Sequence, residues 1–151
     1  MHLIMLNPFN DHYFMKQALA EAQKAAALGE VPVGAVVVAG QQIIGKGHNL
    51  TEKLHDVTAH AEILALTAAA NFLQAKYLVH CTLYVTLEPC PMCAGALYWS
   101  QIGKIVFGAS DARRGATKYA PTLFHPSTQI FGGVESETCS ALIKSFFQQK
   151  R

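Results

Sequence analysis

Two short stretches of the chain carry residues whose types and spacing could perform chemistry. The first contains His60 and, two residues further on, the carboxylate of Glu62. The second contains Cys90 and Cys93, which are two thiols three positions apart. An imidazole and two thiolates suit zinc, and a catalytic zinc keeps three protein ligands and leaves its fourth position to water. We therefore expect one Zn2+ per chain, with Glu62 moving protons for the bound water.

Two other interpretations of these residues stay open at this point. Cys90 and Cys93 alone could form a redox pair. A closed structural zinc site is also possible, but it would need a fourth ligand such as Cys81, Cys139 or a distant histidine. Neither of these cysteines has ligand-like spacing to His60, Cys90 or Cys93. A closed site also does not require the carboxylate of Glu62. The role of Cys81 and Cys139 is not defined by the sequence.

The elements around these residues place them at helix N-termini. Cys90 is predicted to be an N-cap followed by Pro91 at the first helical position, where proline is favoured. A second helix is predicted over residues 59–72, capped by Thr58 or Asp56 and apolar nearly all round, which indicates a buried helix. The partial positive charge at a helix N-terminus favours the thiolate, the form of cysteine that binds metal.

Hydrophobic periodicity predicts the remaining elements of the chain. Strands alternating with helices indicate an α/β fold, with a three-layer α/β/α sandwich around a central mixed sheet of about five strands. The predicted strands are an antiparallel pair over 33–39 and 43–48, followed by strands over 82–87, 104–109 and 130–134. The other predicted helices are one over 12–28 ending at Gly29, one from Pro91 to about Ser100 and a last one over 135–149. An irregular segment is predicted over 110–129.

Composition limits the class of protein. The chain has 151 residues, which favours a single domain over 1–151. Its net charge of +2 neither requires nor excludes a nucleic-acid partner. No apolar stretch is long enough to cross a membrane, and Met1 to Asn10 lacks the features of a signal peptide. Four cysteines without an export signal favour reduced thiols, so we expect a cytoplasmic protein without a membrane partner.

The motifs also resemble those of a known family. His60-Ala61-Glu62, followed by Pro89-Cys90-Pro91-Met92-Cys93, resembles the signature of the zinc nucleoside and nucleobase deaminases. Several further segments, including Glu30-Val31-Pro32-Val33-Gly34-Ala35 and Ile105-Val106-Phe107-Gly108-Ala109, are similar to the bacterial tRNA-specific adenosine deaminases. The similarity covers about residues 14–147. It implies a cytidine deaminase-like fold, a homodimer, and conversion of adenosine to inosine at the wobble position of a tRNA anticodon.

The resemblance also implies roles for residues around the metal. Backbone groups of Ala61 and Glu88 would position the base, and Asn49 would hydrogen-bond the purine edge. Asp111 would lie beside the target ribose. The alternatives from local sequence are that Asn49 is a turn residue after a strand and that Asp111 caps a loop.

A tRNA substrate requires phosphate contacts and surfaces on which bases can stack. Basic and aromatic residues after the fourth predicted strand and in the last helix could provide them, although solvated charges and core aromatics would look the same. The candidates for RNA contacts are Arg113, Arg114, Lys118, Phe146, Phe147 and Lys150.

Three functions from different classes therefore compete. The first is a deaminase of adenosine in the anticodon stem-loop of tRNA. The second is a deaminase of a free base or nucleoside, such as guanine or cytosine, with the same zinc mechanism and no RNA substrate. The third is a zinc module that only binds RNA or protein, and Glu62 argues against it because binding alone does not require a proton shuttle.

Overall fold

A five-stranded mixed sheet forms the centre of the computed structural model, which describes residues 7–150. The strand order is β2-β1-β3-β4-β5, with β1 antiparallel to β2 and β3, and with β3, β4 and β5 parallel to one another. The strands are β1 (Gly34–Ala39), β2 (Gln42–His48), β3 (Cys81–Leu87), β4 (Lys104–Ala109) and β5 (Gln129–Phe131). The predicted fifth strand over 130–134 is thus shorter and forms an edge.

Helices cover both faces of the sheet, which confirms the predicted three-layer sandwich. On one face α1 (Asp11–Ala27) and α5 (Ser136–Gln149) pack against Val36, Val38 and the inward side chains of β4. On the other face α2 (Ala61–Leu73) and α3 (Pro91–Ser100) pack against Ala35 and Val37. Alternate residues of β1 point to opposite faces, so a continuous apolar run serves two cores.

The first helix follows the sequence prediction closely. The side chain of Asn10 caps α1 by accepting a hydrogen bond from the backbone N–H of Tyr13 at 2.9 Å. Gly29 follows the C-terminus with a φ of 77°, a left-handed conformation that glycine adopts without a steric penalty.

Two predictions about the fold were wrong. The segment 110–129 is not wholly irregular, since it contains a short helix, α4 (Ala116–Tyr119), and a 3-10 helix, Pro121–Leu123. The second helix is not buried on all sides, because Phe72 is 57% exposed and Leu73 is also exposed. Only one face of α2 packs on the sheet, and the apolar residues on its other side remain open to solvent.

Two predictions concern the N-terminus and the absence of a membrane span. The stretch that was predicted not to be a signal peptide is Met1 to Asn10, and most of it, Met1 to Leu6, lies outside the described residues. Arg151 also lies outside them. Among the helices of residues 7–150, none is both long enough and apolar enough to pass through a lipid bilayer.

Candidate active site

The N-termini of α2 and α3 bring the three predicted metal ligands together. His60 is the N-cap of α2 and Cys90 is the N-cap of α3, with Cys93 in the first turn of α3. Neither N-cap side chain makes a capping hydrogen bond to its own helix. Both side chains are therefore available to bind something between the two helices.

The predicted caps of α2 were wrong. Thr58 and Asp56 do not cap the helix, because the chain becomes helical only at Ala61. The carboxylate of Asp56 instead accepts hydrogen bonds from the backbone N–H of Thr58 at 2.8 Å and from its hydroxyl at 2.7 Å. These two residues close the turn that leads into His60.

A glycine in the neighbouring strand sets the position of α2. A Cβ atom at Gly47 of β2 would overlap the carbonyl oxygen of Ala61 and approach the backbone nitrogen of Ala65 to 2.7 Å. Only glycine permits the first turn of α2 to lie this close to the sheet. The close packing fixes the N-terminus of α2 and thereby the direction of His60.

The donor atoms have the spacing of a tetrahedral zinc site. His60 Nδ1 lies 3.7 Å from Cys90 Sγ and 3.5 Å from Cys93 Sγ. Zinc bonds of about 2.0–2.1 Å to nitrogen and about 2.3 Å to sulfur separate such atoms by roughly 3.6 Å in a tetrahedron. The ligand atoms of all three residues fall within 4.8 Å of one another. The geometry and the chemistry of the donor set therefore both fit zinc.

The described part of the chain offers no closed four-ligand site. Within residues 7–150, the only group of three or more potential metal ligands is His60, Cys90 and Cys93. Cys81 belongs to the core on the α2 side of the sheet, and Cys139 belongs to the core on the α5 side. A metal held here by protein would keep an open position, as catalytic zinc does.

The protonation of the two thiols differs without a metal. A hydrogen bond from Cys93, together with the neighbouring His60, lowers the pKa of Cys90 to about 4. The pKa of Cys93 is raised, first by its hydrogen bond to Cys90 and then by burial. The pKa of His60 is raised by its hydrogen bond to Cys90. The shifts favour the thiolate at Cys90, and a bound metal would displace the remaining thiol proton.

Glu62 lies in the first turn of α2, beside the three donors. Glu62 is 4% exposed, and burial raises the pKa of its carboxyl group to about 7. The negative charge of Cys90 acts in the same direction. A carboxyl group with a pKa near neutrality can both accept and donate a proton during a reaction.

A cleft of about 730 Å3 opens beside His60 and Glu62. Most of the predicted substrate contacts line it. The residues that do so are Asn49, Ala61, Glu88, Asp111, Arg113, Arg114 and Phe147. Three predicted RNA contacts, Lys118, Phe146 and Lys150, are not among the lining residues.

Asn49 is buried in the wall of this cleft and also closes a turn. Its amide nitrogen donates to the carbonyl oxygen of Val31 at 3.3 Å, and its amide oxygen accepts from the backbone N–H of Thr51 at 3.1 Å. The side-chain amide can form four hydrogen bonds in total. The turn therefore leaves half of its capacity for a ligand.

Asp111 likewise holds its own loop. Its Oδ1 atom accepts from the backbone N–H groups of Arg113 at 3.0 Å and of Arg114 at 3.1 Å. Both bonds go to the same oxygen, so they do not use Oδ2. Asp111 therefore caps its own loop, as one alternative predicted, and it also lines the cleft.

The predicted contacts outside the cleft bind neighbouring protein groups. The ammonium of Lys118 lies 5.1 Å from the ring centroid of Tyr119, and that of Lys150 lies 5.0 Å from the ring centroid of Phe146. These pairs are on the surface and could meet only the outer parts of a large substrate.

Sequence reasoning missed one residue that shapes the cleft. Glu30 is 1% exposed, and its carboxylate accepts from the backbone N–H groups of Glu52 at 3.0 Å and Lys53 at 2.8 Å. It therefore fixes the loop that carries Asn49. The only local signal is a charged residue directly before a buried apolar run.

The fold and the donor group together define a deaminase of the cytidine deaminase-like superfamily. The sequence profile of the MafB19-like deaminase family matches residues 9–151. Because this match spans nearly the whole chain, the protein belongs to the MafB19-like deaminase family.

Individual relatives give a finer comparison. The tRNA-specific adenosine deaminase of Haemophilus influenzae is 47% identical over 93% of this chain and 85% of its own length. A structure from a study of A-to-I editing by tRNA:A34 deaminases at the wobble position of transfer RNA has a TM-score of 0.81 and 38% identity, and the match covers 86% of this chain and 98% of the other. Guanine deaminase from Bacillus subtilis has a TM-score of 0.64 and 37% identity over 78% of this chain and 73% of the other. Among these three, the tRNA deaminases share more of their length with this chain.

Proposed function

We propose that this protein is a zinc-dependent hydrolytic deaminase that converts adenosine to inosine at the wobble position of a tRNA anticodon. The observation that carries the proposal is a three-donor group with an open position, placed with buried Glu62 at a cleft whose rim carries two arginines. The similarity to tRNA-specific adenosine deaminases over nine-tenths of the chain supports the choice of substrate.

His60, Cys90 and Cys93 would hold one zinc per chain. Zinc bound there would supply a water of lowered pKa and a Lewis acid beside the target carbon. Glu62 takes a proton from the attacking water, gives it to the ring nitrogen, and later delivers a proton to the departing ammonia. Its raised pKa suits both directions of transfer.

The walls of the cleft supply the contacts to the base and the ribose. Asn49 would use the free half of its amide on the purine edge, and Asp111 would offer Oδ2 to a ribose hydroxyl. Backbone groups of Ala61 and Glu88, which line the cleft beside the donors, would hold the base in place.

The outer surface would hold the RNA. Arg113 and Arg114 at the rim suit phosphates, and Phe147 is an exposed ring on which an unstacked base can lie. Lys118, Phe146 and Lys150 would extend these contacts beyond the cleft. A loop nucleotide is extruded at low cost, which favours an anticodon position. A tRNA substrate would place the activity in the cytoplasm.

A second candidate function, deamination of free guanine, shares the metal group and Glu62. The observation in its favour is the 37% identity to guanine deaminase from Bacillus subtilis. A small base would fill only the inner part of the cleft and would not need Arg113 or Arg114. The two candidates therefore differ in what lies outside the catalytic centre.

An activity panel separates the two candidates. The purified protein is assayed with an anticodon stem-loop containing adenosine at the wobble position, with free adenosine, and with free guanine. We expect inosine in the stem-loop, detected by mass spectrometry, and catalytic efficiency on both small molecules lower by at least about a hundredfold, because remote contacts contribute to the transition state.

The double variant R113E/R114E tests whether the two arginines contact RNA. It should weaken stem-loop binding, flatten its dependence on salt and leave the zinc content unchanged. Efficient conversion of guanine with an unedited stem-loop would reject the tRNA proposal while leaving a zinc deaminase. An unchanged salt dependence in the double variant would reject the assigned roles of the arginines.

We also propose that the protein is a homodimer through the outer face of α2 and α3. Trp99 is 76% exposed there, beside a shallow apolar depression lined in part by Ile63, Ala70, Tyr77 and Ala96. Exposed apolar side chains grouped around a depression are typical of protein–protein interaction sites. We expect sedimentation to show a dimer of the natural chain and a monomer for Trp99→Glu. A natural chain that remains monomeric at micromolar concentration would reject the proposal.

A further inference from the structure

The side chain of Glu88 makes contacts that its backbone role does not explain. The residue is 5% exposed and lies between the end of β3 and the zinc-ligand pair. Its Oε1 atom accepts from the backbone N–H of Asp111 at 3.0 Å, and Oε2 accepts from the backbone N–H of Thr117 at 3.0 Å. Oε2 also accepts from the hydroxyl of Thr117. These donors belong to the segment after β4, Asp111 to its loop and Thr117 to the short helix α4.

The described residues 7–150 provide no cationic partner for this buried carboxylate, because none of their ion pairs includes Glu88. A buried carboxylate is unfavourable unless hydrogen bonds replace its hydration, and here loop N–H groups and one hydroxyl provide them. The loop is therefore bound by charge-assisted bonds to the strand that leads to Cys90.

The contact is also tight in space. A Cβ atom at Gly115 would overlap the carboxylate of Glu88. The neighbouring backbone adds a second link, since the N–H of Ala116 donates to the carbonyl oxygen of Pro89 at 2.9 Å. Glycine at position 115 thus allows the loop to close completely over Glu88.

The loop held in this way carries the outer wall of the cleft. Asp111, Arg113 and Arg114 all line the cleft, and the carboxylate of Asp111 holds the backbone N–H groups of both arginines. Glu88 fixes Asp111, and Asp111 fixes the arginines. A continuous series of hydrogen bonds therefore connects the residue before Pro89 and Cys90 with the basic rim.

We propose that the carboxylate of Glu88 is a positioning residue that orders residues 110–117 as the RNA-facing wall of the cleft. It acts on the substrate through the loop and not by direct contact of its charge. The RNA part of this inference rests on the proposed function, whereas the positioning of the loop applies to any substrate that the cleft binds.

The first test is Glu88→Gln, which keeps the shape of the side chain. One carboxylate oxygen becomes an NH2 group, which cannot accept a hydrogen bond and faces loop N–H donors. We expect the KM for the stem-loop to rise by about ten- to hundredfold, with kcat reduced by less than about threefold and zinc content unchanged. The dependence of KM on salt should flatten, because the arginines are no longer held toward the phosphates.

Two further variants separate positioning from general stability. Gly115→Ala keeps the carboxyl group, but the added methyl would displace it from the backbone N–H groups that it accepts from, so the variant should reproduce the higher KM and the flatter salt dependence. Glu30→Gln is the matched control, because Glu30 is also buried and accepts two backbone N–H groups, but from the loop on the other side of the cleft. We expect it to keep the salt dependence of the natural protein.

These outcomes decide the inference separately from the proposed function. The inference is overturned if Glu88→Gln or Gly115→Ala keeps the natural KM and salt dependence, or if Glu30→Gln flattens the salt dependence equally. If Glu88→Gln does not fold, Gly115→Ala decides alone. If the natural protein converts only guanine, the proposed tRNA function fails. The positioning role is then tested by hydrogen exchange at the backbone amides of Asp111 and Thr117, which should be faster in Glu88→Gln than in the natural protein, and unchanged exchange would overturn it.

Discussion

Glu62→Gln is expected to keep about one zinc per chain while deamination falls by at least about a hundredfold, the lower end of the range for general acid–base catalysis. Glutamine has nearly the same shape as glutamate and can still form hydrogen bonds in the first turn of α2. Its amide group does not act as an acid or a base near neutral pH. The substitution therefore removes the proton transfers and leaves the three donors in place.

The measurement combines metal analysis with single-turnover rates on the substrate that the natural protein converts. Glu137→Gln, the same change at an exposed position in α5, is the matched control and should keep near-natural rates and zinc content. Loss of zinc from Glu62→Gln would show that Glu62 is a ligand or a structural residue. Near-natural turnover would equally contradict its role in proton transfer.

The grouping of the candidate site residues could be predicted from the sequence because they fall into two short motifs. His60 and Glu62 are two positions apart, and Cys90 and Cys93 share one helical turn. Residue type and spacing therefore carry most of the chemical information. The cap of α2 was mispredicted because His60, whose ring contacts the two thiols, occupies the position that a Thr or Asp normally takes.

The supporting contacts could not be predicted, because they join distant parts of the chain. Glu88 binds the backbone of Thr117 and Glu30 binds the backbone of Lys53, over separations of 29 and 23 residues. Backbone donors have no sequence signature, so neither contact is visible in residue types. The exposed face of α2 was missed for a related reason, because apolar residues facing solvent or a partner look like core residues.

Cys93→Ala is expected to abolish zinc binding and to reduce deamination by roughly a thousandfold or more, since a Lewis acid contributes several kcal/mol to such a transition state. Two remaining donors cannot hold the ion in a fixed position. Because zinc binds the folded protein, its loss should also lower the melting temperature. Metal analysis, activity and thermal denaturation with and without a chelator measure the three effects.

Cys81→Ala is the matched control for this prediction. It removes an equally buried thiol from the core beneath α2, so it should lower stability through lost packing but keep zinc. A chelator should then lower the melting temperature of the natural protein and of Cys81→Ala, and leave that of Cys93→Ala unchanged. Full zinc occupancy in Cys93→Ala would mean that the ion is held elsewhere. Loss of zinc from Cys81→Ala would mean that the metal site depends on core packing and not on three local donors.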